Sequence, residues 1–503
     1  MTDDSNSTVL DAFWEYERAL MANDLEALDR LFAPGDETLR GDANGILIGH
    51  DAISAFRQGR GGAPARTILS VEVREIADDA ALVIAITSPL TGGRGQQTQL
   101  WRRGPGGWTV EAAHVSLPAP AITTAVWRTV GSPLVEPVAD GPLSGQTVAA
   151  KDLYAIAGHR IGGGVPAFLA EAPIETSHAD AVQLLLDAGA SVTGIAQTDE
   201  FAYSIAGKNP HYGTPPNPAV VGAIPGGSSS GPVSAVAQGQ VTIGLSTDTG
   251  GSIRVPASYT GTWGLRTTHG AVPVGGLLPL APSFDTAGWI TRDGATLRAV
   301  ASVSIGEHRA IDGELVVAPA LLDHVEEDVR EAFAPYLGYD AVDLCDIEHL
   351  FETFRTVQAA EAWRVHGPWI EAHPGALGAD IAARFAWAST ISVDHEKRAR
   401  ADLADVRAAL DGVLGDRVLL LPSASSSAPS ATADAAAIER TRAGTLRLTC
   451  VAGLTGRPGL SVPVLGVPQA SSRLPAPVGL GLVGPRFSDL ALVDLALSTF
   501  AAT

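Results

Sequence analysis

Residues 226–231 read GGSSSG and residues 246–258 read STDTGGSIRVPAS. Both loops set glycines beside hydroxyls, and how they are interpreted decides the fold. Glycine lets the backbone come close and turn several N–H groups toward one point, which is how an oxyanion can be held without side chains. The plainer interpretation is a pair of flexible turns. Against it stands the intervening chain, since from Asn209 to Thr247 there is no Asp, Glu, Lys or Arg. Prolines and hydroxyls exclude a membrane span there, and so long a loop in a compact domain is ordinarily functional. The stretch is therefore expected to be interior backbone lining a site.

Three chemistries compete for these loops. Gly227–Gly231 satisfies G-x-S-x-G, with Ser229 as nucleophile on a strand-turn-helix elbow; Pro225 and Pro232 bracket it where a clean strand and helix are required, which weighs against this reading. Asp248-Thr249-Gly250 is similar to an aspartic-protease loop, but that chemistry needs a second carboxylate loop to share one proton, and no second Asp-Thr-Gly exists in the chain. The third uses both loops with a lysine upstream. Only Lys151, Lys208 and Lys397 are lysine among 34 basic residues. A lysine kept in so arginine-rich a chain suggests a task that arginine cannot perform, which is losing its proton.

Composition narrows the class. A chain of 503 residues with 46% apolar and 18% charged residues has the make-up of a folded globular protein with a large core. Its net charge of −21 repels phosphates and anionic surfaces, so neither nucleic acid nor a membrane is an expected partner. Two cysteines, Cys345 and Cys450, are too few for a disulfide scaffold or a cysteine-rich zinc site, and Met1–Leu10 has no basic or apolar run. A cytoplasmic protein without metal or other cofactor is the expectation. His211, His269 and His366 match no metal-ligand spacing.

Residues 1–125 read as a small α+β unit. Val9, Leu10, Phe13, Tyr16 and Leu20 recur at helical spacing, Asn23 or Asp24 can cap a second helix, and strands follow around 71–73, 81–86, 97–103 and 108–116, the last two joined by a Gly104–Gly107 turn. Residues 126–145, with Pro133, Pro137 and Pro142, read as a linker after Pro118 and Pro120, and 146–503 as the second domain. There Ser177 is expected to cap a helix through Val182, Leu185 and Leu186 that ends at Gly189, ahead of a strand over Ser191–Ala196. Alternation of helix and strand points to α/β.

The ending WRRGPGGWTVEAAHVS and the element order of the first unit resemble the SnoaL-like, nuclear-transport-factor-like cones, in particular small accessory proteins found beside bacterial amidases. That resemblance implies a docking or dimerisation module, hence a homo-oligomer; His50, His114 and Trp101 are its conceivable pocket residues. Further on, QTVAAKDLYAIAGHRIGGG (146–164), GGSSSG and STDTGGSIRVPAS resemble the amidase signature family in order and spacing. DEFAYSIAGKNPHYGTPPNP and PLAPSFDTAGWITRD are most similar to its plant indole-3-acetamide hydrolase type. The likeness is strong over about 140–300, recognisable at GLTGRPGLSVPV and GLGLVGPRF, and faint over about 300–440.

The amidase resemblance implies a mixed twisted sheet covered by helices, and it assigns roles. Ser252 is the expected nucleophile, Ser228, 24 residues earlier, a bridging serine on a cis peptide, and Lys151 the base. The N–H groups of Thr249, Gly250, Gly251 and Ser252 would form the oxyanion hole. Gly226, Gly227, Tyr203, Phe284 and Trp289 are expected against a small aryl or alkyl primary amide, while Arg254 pairs with Asp248 to brace the loop. Three rivals are carried. A carboxylated urea-type substrate would need an arginine in 300–440, where Arg355, Arg364 and Arg384 are available. A non-catalytic scaffold would lack the catalytic residues, and a transfer-RNA amidotransferase subunit gives no reason for the first domain.

Overall fold

The structure is a computed structural model that describes residues 8–42, 45–59, 61–63, 65–89, 94–116, 122–344, 346–469 and 472–500. Pro118, Pro120 and Cys345 lie outside these residues. The chain forms two units, Met1–Ala121 and Ile122–Thr503.

The first unit contains helices α1 (Val9–Ala22), α2 (Leu25–Arg30) and α3 (His50–Gly59) with strands β1 (Leu39–Asp42), β2 (Gly45–Ile48), β3 (Arg66–Ala77), β4 (Ala80–Pro89), β5 (Gly95–Gly104) and β6 (Gly107–Ser116). Val9, Phe13, Tyr16 and Leu20 bury one side of α1, as their spacing predicts; Leu10, expected with them, is exposed. Asn23 adopts the left-handed conformation that ends α1, and the Asp24 carboxylate accepts from Ala27 N to cap α2. The strands order as β2-β1-β6-β5-β4-β3, with β1 and β6 parallel and the other pairs antiparallel.

The second unit runs β7 (Trp127–Val135), β8 (Thr147–Lys151), α4 (Pro166–Glu171), α5 (Asp180–Asp187), β9 (Ser191–Ala196), α6 (Ser230–Ala237), β10 (Ile243–Asp248), α7 (Arg254–Thr260), β11 (Trp263–Arg266), β12 (Thr286–Thr291) and α8 (Gly294–Ser304). It continues through β13 (Leu315–Val317), α9 (Glu327–Phe333), β14 (Asp340–Ala341), α10 (Ile347–Ala372), α11 (Ala379–Ala388), α12 (Val393–Leu414), β15 (Val418–Pro422), α13 (Ala435–Thr455), β16 (Gly459–Gln469), β17 (Ser472–Val483) and α14 (Asp489–Thr499). Among the described residues these strands make one mixed sheet, β14-β13-β15-β17-β16-β11-β12-β10-β8-β9-β7. Strands β10, β12 and β15 are buried at every position, so none shows the alternation of a half-exposed strand, and β10 ends in the buried Asp248.

Two expectations change here. Residues 126–145 do not stay outside the sheet: β7 pairs antiparallel with β9 as its edge strand, because Val126 and Trp127 are apolar enough to bury beside Ala196 and Val233. Its proline is tolerated because pairing is interrupted between Val130 and Val135, at an edge. Ser177 does not cap the following helix. That helix begins at Asp180 behind Ala179, with no side-chain cap.

Candidate active site

Parallel neighbours β8 and β10 set the site. Ala150 lies beside Leu245, so the register carries Lys151, at the end of β8, alongside Ser246 and Thr247. Sites in such sheets lie beyond the carboxyl ends of parallel strands, where loops converge. One of those loops is Gly226–Ser229, leading into α6; the other is Thr249–Ile253, leading from β10 into α7. Most of the uncharged stretch between Asn209 and Thr247 is buried, and it supplies part of the dry lining.

The Lys151 side chain is completely buried. Its Nζ stands 2.8 Å from Ser228 Oγ, 3.1 Å from Ser229 Oγ and 2.8 Å from Thr247 Oγ1. Three hydroxyls suit either protonation state: an ammonium donates to all three, while a neutral amine donates to two and accepts from the third. Burial penalises the charged form and brings the lysine down to about 7, although Asp199, Asp248 and Asp285 pull the other way. Sequence reasoning passed over Thr247; its signal was the parallel register, which needs the fold to be known.

Each of those carboxylates is occupied with shaping a loop. Asp199 accepts from Gly207 N at 2.9 Å and Ser230 Oγ at 3.0 Å. Asp285 accepts from Thr249 Oγ1 at 2.6 Å and from the N–H groups of Leu280 and Ala281. Asp248 takes Arg254 at 3.0 and 2.9 Å and Arg266 at 3.1 Å, with all three side chains buried. Burial would raise Asp248, but the two guanidiniums more than offset it and hold it well below the usual carboxylate range.

The structure also sorts the expected residues. The Gly227–Ser228 peptide is cis. Among the described residues no hydrogen bond links Ser228 to Ser252; catalytic contacts in ligand-free sites are often long and tighten with substrate. Of the four expected oxyanion donors, Gly251 N is held by Asp248 Oδ1 at 2.9 Å in the turn that shapes the loop. Thr249, Gly250 and Ser252 keep N–H groups that no carboxylate takes among the described residues. Gly226 and Gly227 are buried tightly against protein: a Cβ on Gly227 would come 2.4 Å from Asp199 Oδ2 and one on Gly226 2.8 Å from Pro256 Cα, and Gly227 N donates to Ile205 O. They are close-packing residues rather than contact points for a ligand.

Ser252 lines a crevice of about 20 Å³ with Tyr203, Ser204, Gly250, Gln358, Arg442 and Leu446, room for roughly one water. Tyr203 is thus beside it. Phe284 and Trp289 are not: Phe284 packs on Phe354, and Trp289 lies within the sheet opposite Leu245 and Leu265, because β12 is covered on both faces. Both belong to the core. A cavity of about 640 Å³ also borders Arg442 and is lined by Arg355 and Arg384, whereas Arg364 pairs with Glu396 instead.

His211, His269 and His366 are hydrogen-bonded to Glu200, Pro282 O and Pro279 O. Among the described residues no group of three His, Cys, Asp or Glu side chains could hold a metal ion, and no helix is long and apolar enough to cross a membrane. In the first unit His50 contacts Asp29 O, Trp101 donates to Gln99 within the core, and His114 is exposed, so the three form no single pocket. The elbow argument needs one repair. A helix does leave the serine loop, since α6 carries Pro232 in its first turn, where proline is tolerated; what is missing is the entering strand.

Comparison with known proteins agrees with this architecture. The amidase family model matches residues 132–363, and an AtzH-like model matches residues 3–120. Amidase 1 of Arabidopsis thaliana is 35% identical over 399 residues, covering 70% of this chain and 92% of that protein. The chain belongs to the amidase family. As a family member it is an amidase, joined to an AtzH-like first unit, a small domain similar to the SnoaL-like cone expected. Amidase relatives extend beyond enzymes by name: translocon at the outer membrane of chloroplasts 64 of Pisum sativum is 29% identical over 402 residues, covering 71% of this chain and 66% of that one. A solved amidase-fold structure, titled an unexpected vestigial protein complex that reveals the evolutionary origins of an s-triazine catabolic enzyme, is 27% identical with a TM-score of 0.66. It covers 72% of this chain and 86% of that chain.

Proposed function

We propose that this amidase hydrolyses a small carboxylic amide to the acid and ammonia through an acyl-enzyme, with Lys151 as base, Ser228 as relay and Ser252 as nucleophile. The supporting observation is a wholly buried amine, lowered to about 7, lying 2.8 Å from the Ser228 hydroxyl. The neutral amine takes the Ser228 proton as Ser228 takes that of Ser252, and the Ser252 oxygen attacks the carbonyl carbon. The N–H groups of Thr249, Gly250 and Ser252 receive the oxyanion, each such donor being worth on the order of 3 kcal/mol in other hydrolases. The C–N bond breaks as the Lys151 ammonium returns a proton to nitrogen along the same relay. Water then attacks the acyl-Ser252 ester, and its proton restores Ser252. An aryl or alkyl primary amide of the indole-3-acetamide type is the substrate class that the resemblance of DEFAYSIAGKNPHYGTPPNP and PLAPSFDTAGWITRD favours.

Ammonia release from an amide panel tests this. Ser252→Ala and Lys151→Ala are expected to abolish activity, Ser229→Ala to lower it far less, and a chelator to leave it unchanged. Activity that disappears only with Ser229→Ala would replace the relay with the elbow mechanism. A wild type inert toward every amide would favour the scaffold reading instead.

A further inference from the structure

Amide chemistry gives no reason for the arginines around the 640 Å³ cavity. The cavity's walls come from faces of α11 (Asp380, Ala383, Arg384, Trp387) and α13 (Ala435, Ile438, Glu439, Arg442), each spaced i, i+3, i+4, i+7, with Arg355 from α10 and Lys208 beside them. In a chain of net charge −21 this lining carries four cations against two carboxylates. Their hydrogen bonds are unequal. Arg384 is engaged, donating to Tyr203 O at 2.6 Å and Glu439 at 3.5 Å. Arg442 gives Nε and Nη2 to Glu439 at 2.8 Å each, leaving Nη1 without an acceptor among the described residues. Arg355 lies 4.3 Å over the Trp387 ring and 3.2 Å from Glu352, and makes no hydrogen bond among the described residues.

Arg442 lines both this cavity and the crevice at Ser252. Leu446, one turn further along α13, lines the crevice alone of the two. A turn rises about 5.4 Å, so the step along α13 from Leu446 to Arg442 leads from the crevice to the larger cavity, and Arg442 borders both. We propose that this cavity is a subsite for a carboxylate on the acyl part of the substrate, held by the open donors of Arg442 and Arg355, and that the preferred substrates are half-amides of dicarboxylic acids. The inference rests on amide hydrolysis at Ser252. Guanidinium suits the role because its planar fork matches a carboxylate. Ile438, Ala383 and Pro210 offer the apolar wall along which a spacer of two to four methylenes, roughly one helical turn long, would lie.

The test compares kcat/KM for succinamic, glutaramic and adipamic acids with butyramide, pentanamide and hexanamide. The wild type is expected to favour the acids at least tenfold, and Arg442→Gln and Arg355→Gln each to cut that ratio tenfold or more, mainly through KM, with Arg442→Lys recovering part of it. A wild type that prefers the neutral amides, or an unchanged ratio in both glutamine variants, overturns the subsite. Calorimetric titration of glutaramate into Ser252→Ala, with and without Arg442→Gln, separates this failure from failure of the hydrolytic reading. At least tenfold weaker binding in the double variant is expected, and equal binding refutes the carboxylate site whatever the turnover shows.

Discussion

Two polar neighbourhoods, the buried cluster around Lys151 and the arginine-lined cavity that borders Arg442, are built on opposite plans. In the first, Lys151 is wholly buried among three hydroxyls, and Asp199, Asp248 and Asp285 are each saturated by loop N–H groups, hydroxyls or guanidiniums. In the second, Arg442 and Arg355 keep donors that no described residue accepts, on the wall of an open cavity. Groups meant for chemistry gain from dryness and a fixed geometry, because a low dielectric shifts an amine toward neutrality and strengthens every dipole around it. Groups meant for recognition must keep unmet hydrogen-bonding capacity for a ligand to satisfy.

The contrast can be broken by substitution. The largest effect is expected at its inner edge: Ser252→Ala and Lys151→Met should each lower kcat by roughly 10⁴-fold or more, as loss of one member of a cooperating nucleophile-base set does, read by ammonia release with an unchanged circular dichroism spectrum. Retention of more than a few per cent would mean the inner cluster is structural. Asp248→Asn should follow, since it leaves Arg254 and Arg266 buried with their carboxylate partner gone. A loss of about 3–5 kcal/mol is expected, measured by urea denaturation, and a shift under 1 kcal/mol would show that the loop relaxes around the change.

A pH profile sharpens the comparison at intermediate magnitude. The base works only when neutral, and burial lowers Lys151 to about 7. kcat/KM for a neutral amide should therefore rise with pH, falling about tenfold for each unit below that value and levelling off above it. A limb centred near the ordinary lysine value would contradict the burial seen here. Smallest of all should be Ser229→Ala: its hydroxyl is the most distant of the three lysine neighbours, at 3.1 Å, and the other two still satisfy the amine. About a threefold fall in kcat is expected.

Local patterns carried well for several elements, though not for the cap expected at Ser177. The capped second helix at Asp24, the Gly104–Gly107 hairpin and the strand at Ser191–Ala196 all depend on neighbours a few residues away, and all are present. Errors gathered where tertiary contacts overrule a local signal. Prolines made residues 126–145 look like a linker, but an edge strand accepts them once Val126 and Trp127 have a core to enter. Trp289 looked like a pocket wall because nothing near it in the chain reveals that its strand is covered on both faces. Gly251 looked like a free donor until the Asp248 carboxylate was found to hold it.

What the amino-acid order alone singled out is the set of groups proposed to react. A lysine kept in an arginine-rich chain, two glycine-serine loops and a charge-free stretch between them are one-dimensional facts, and glycine and lysine have physical properties that no substitute shares. Only the folded chain decided what surrounds them. Thr247 reaches Lys151 because β8 and β10 pair in one register, and Arg355, Arg384 and Arg442 meet because three helices turn the same faces inward. Such meetings span up to 96 residues for the lysine shell, and contacts at that separation are selected by the burial of whole faces, which no short window of sequence records.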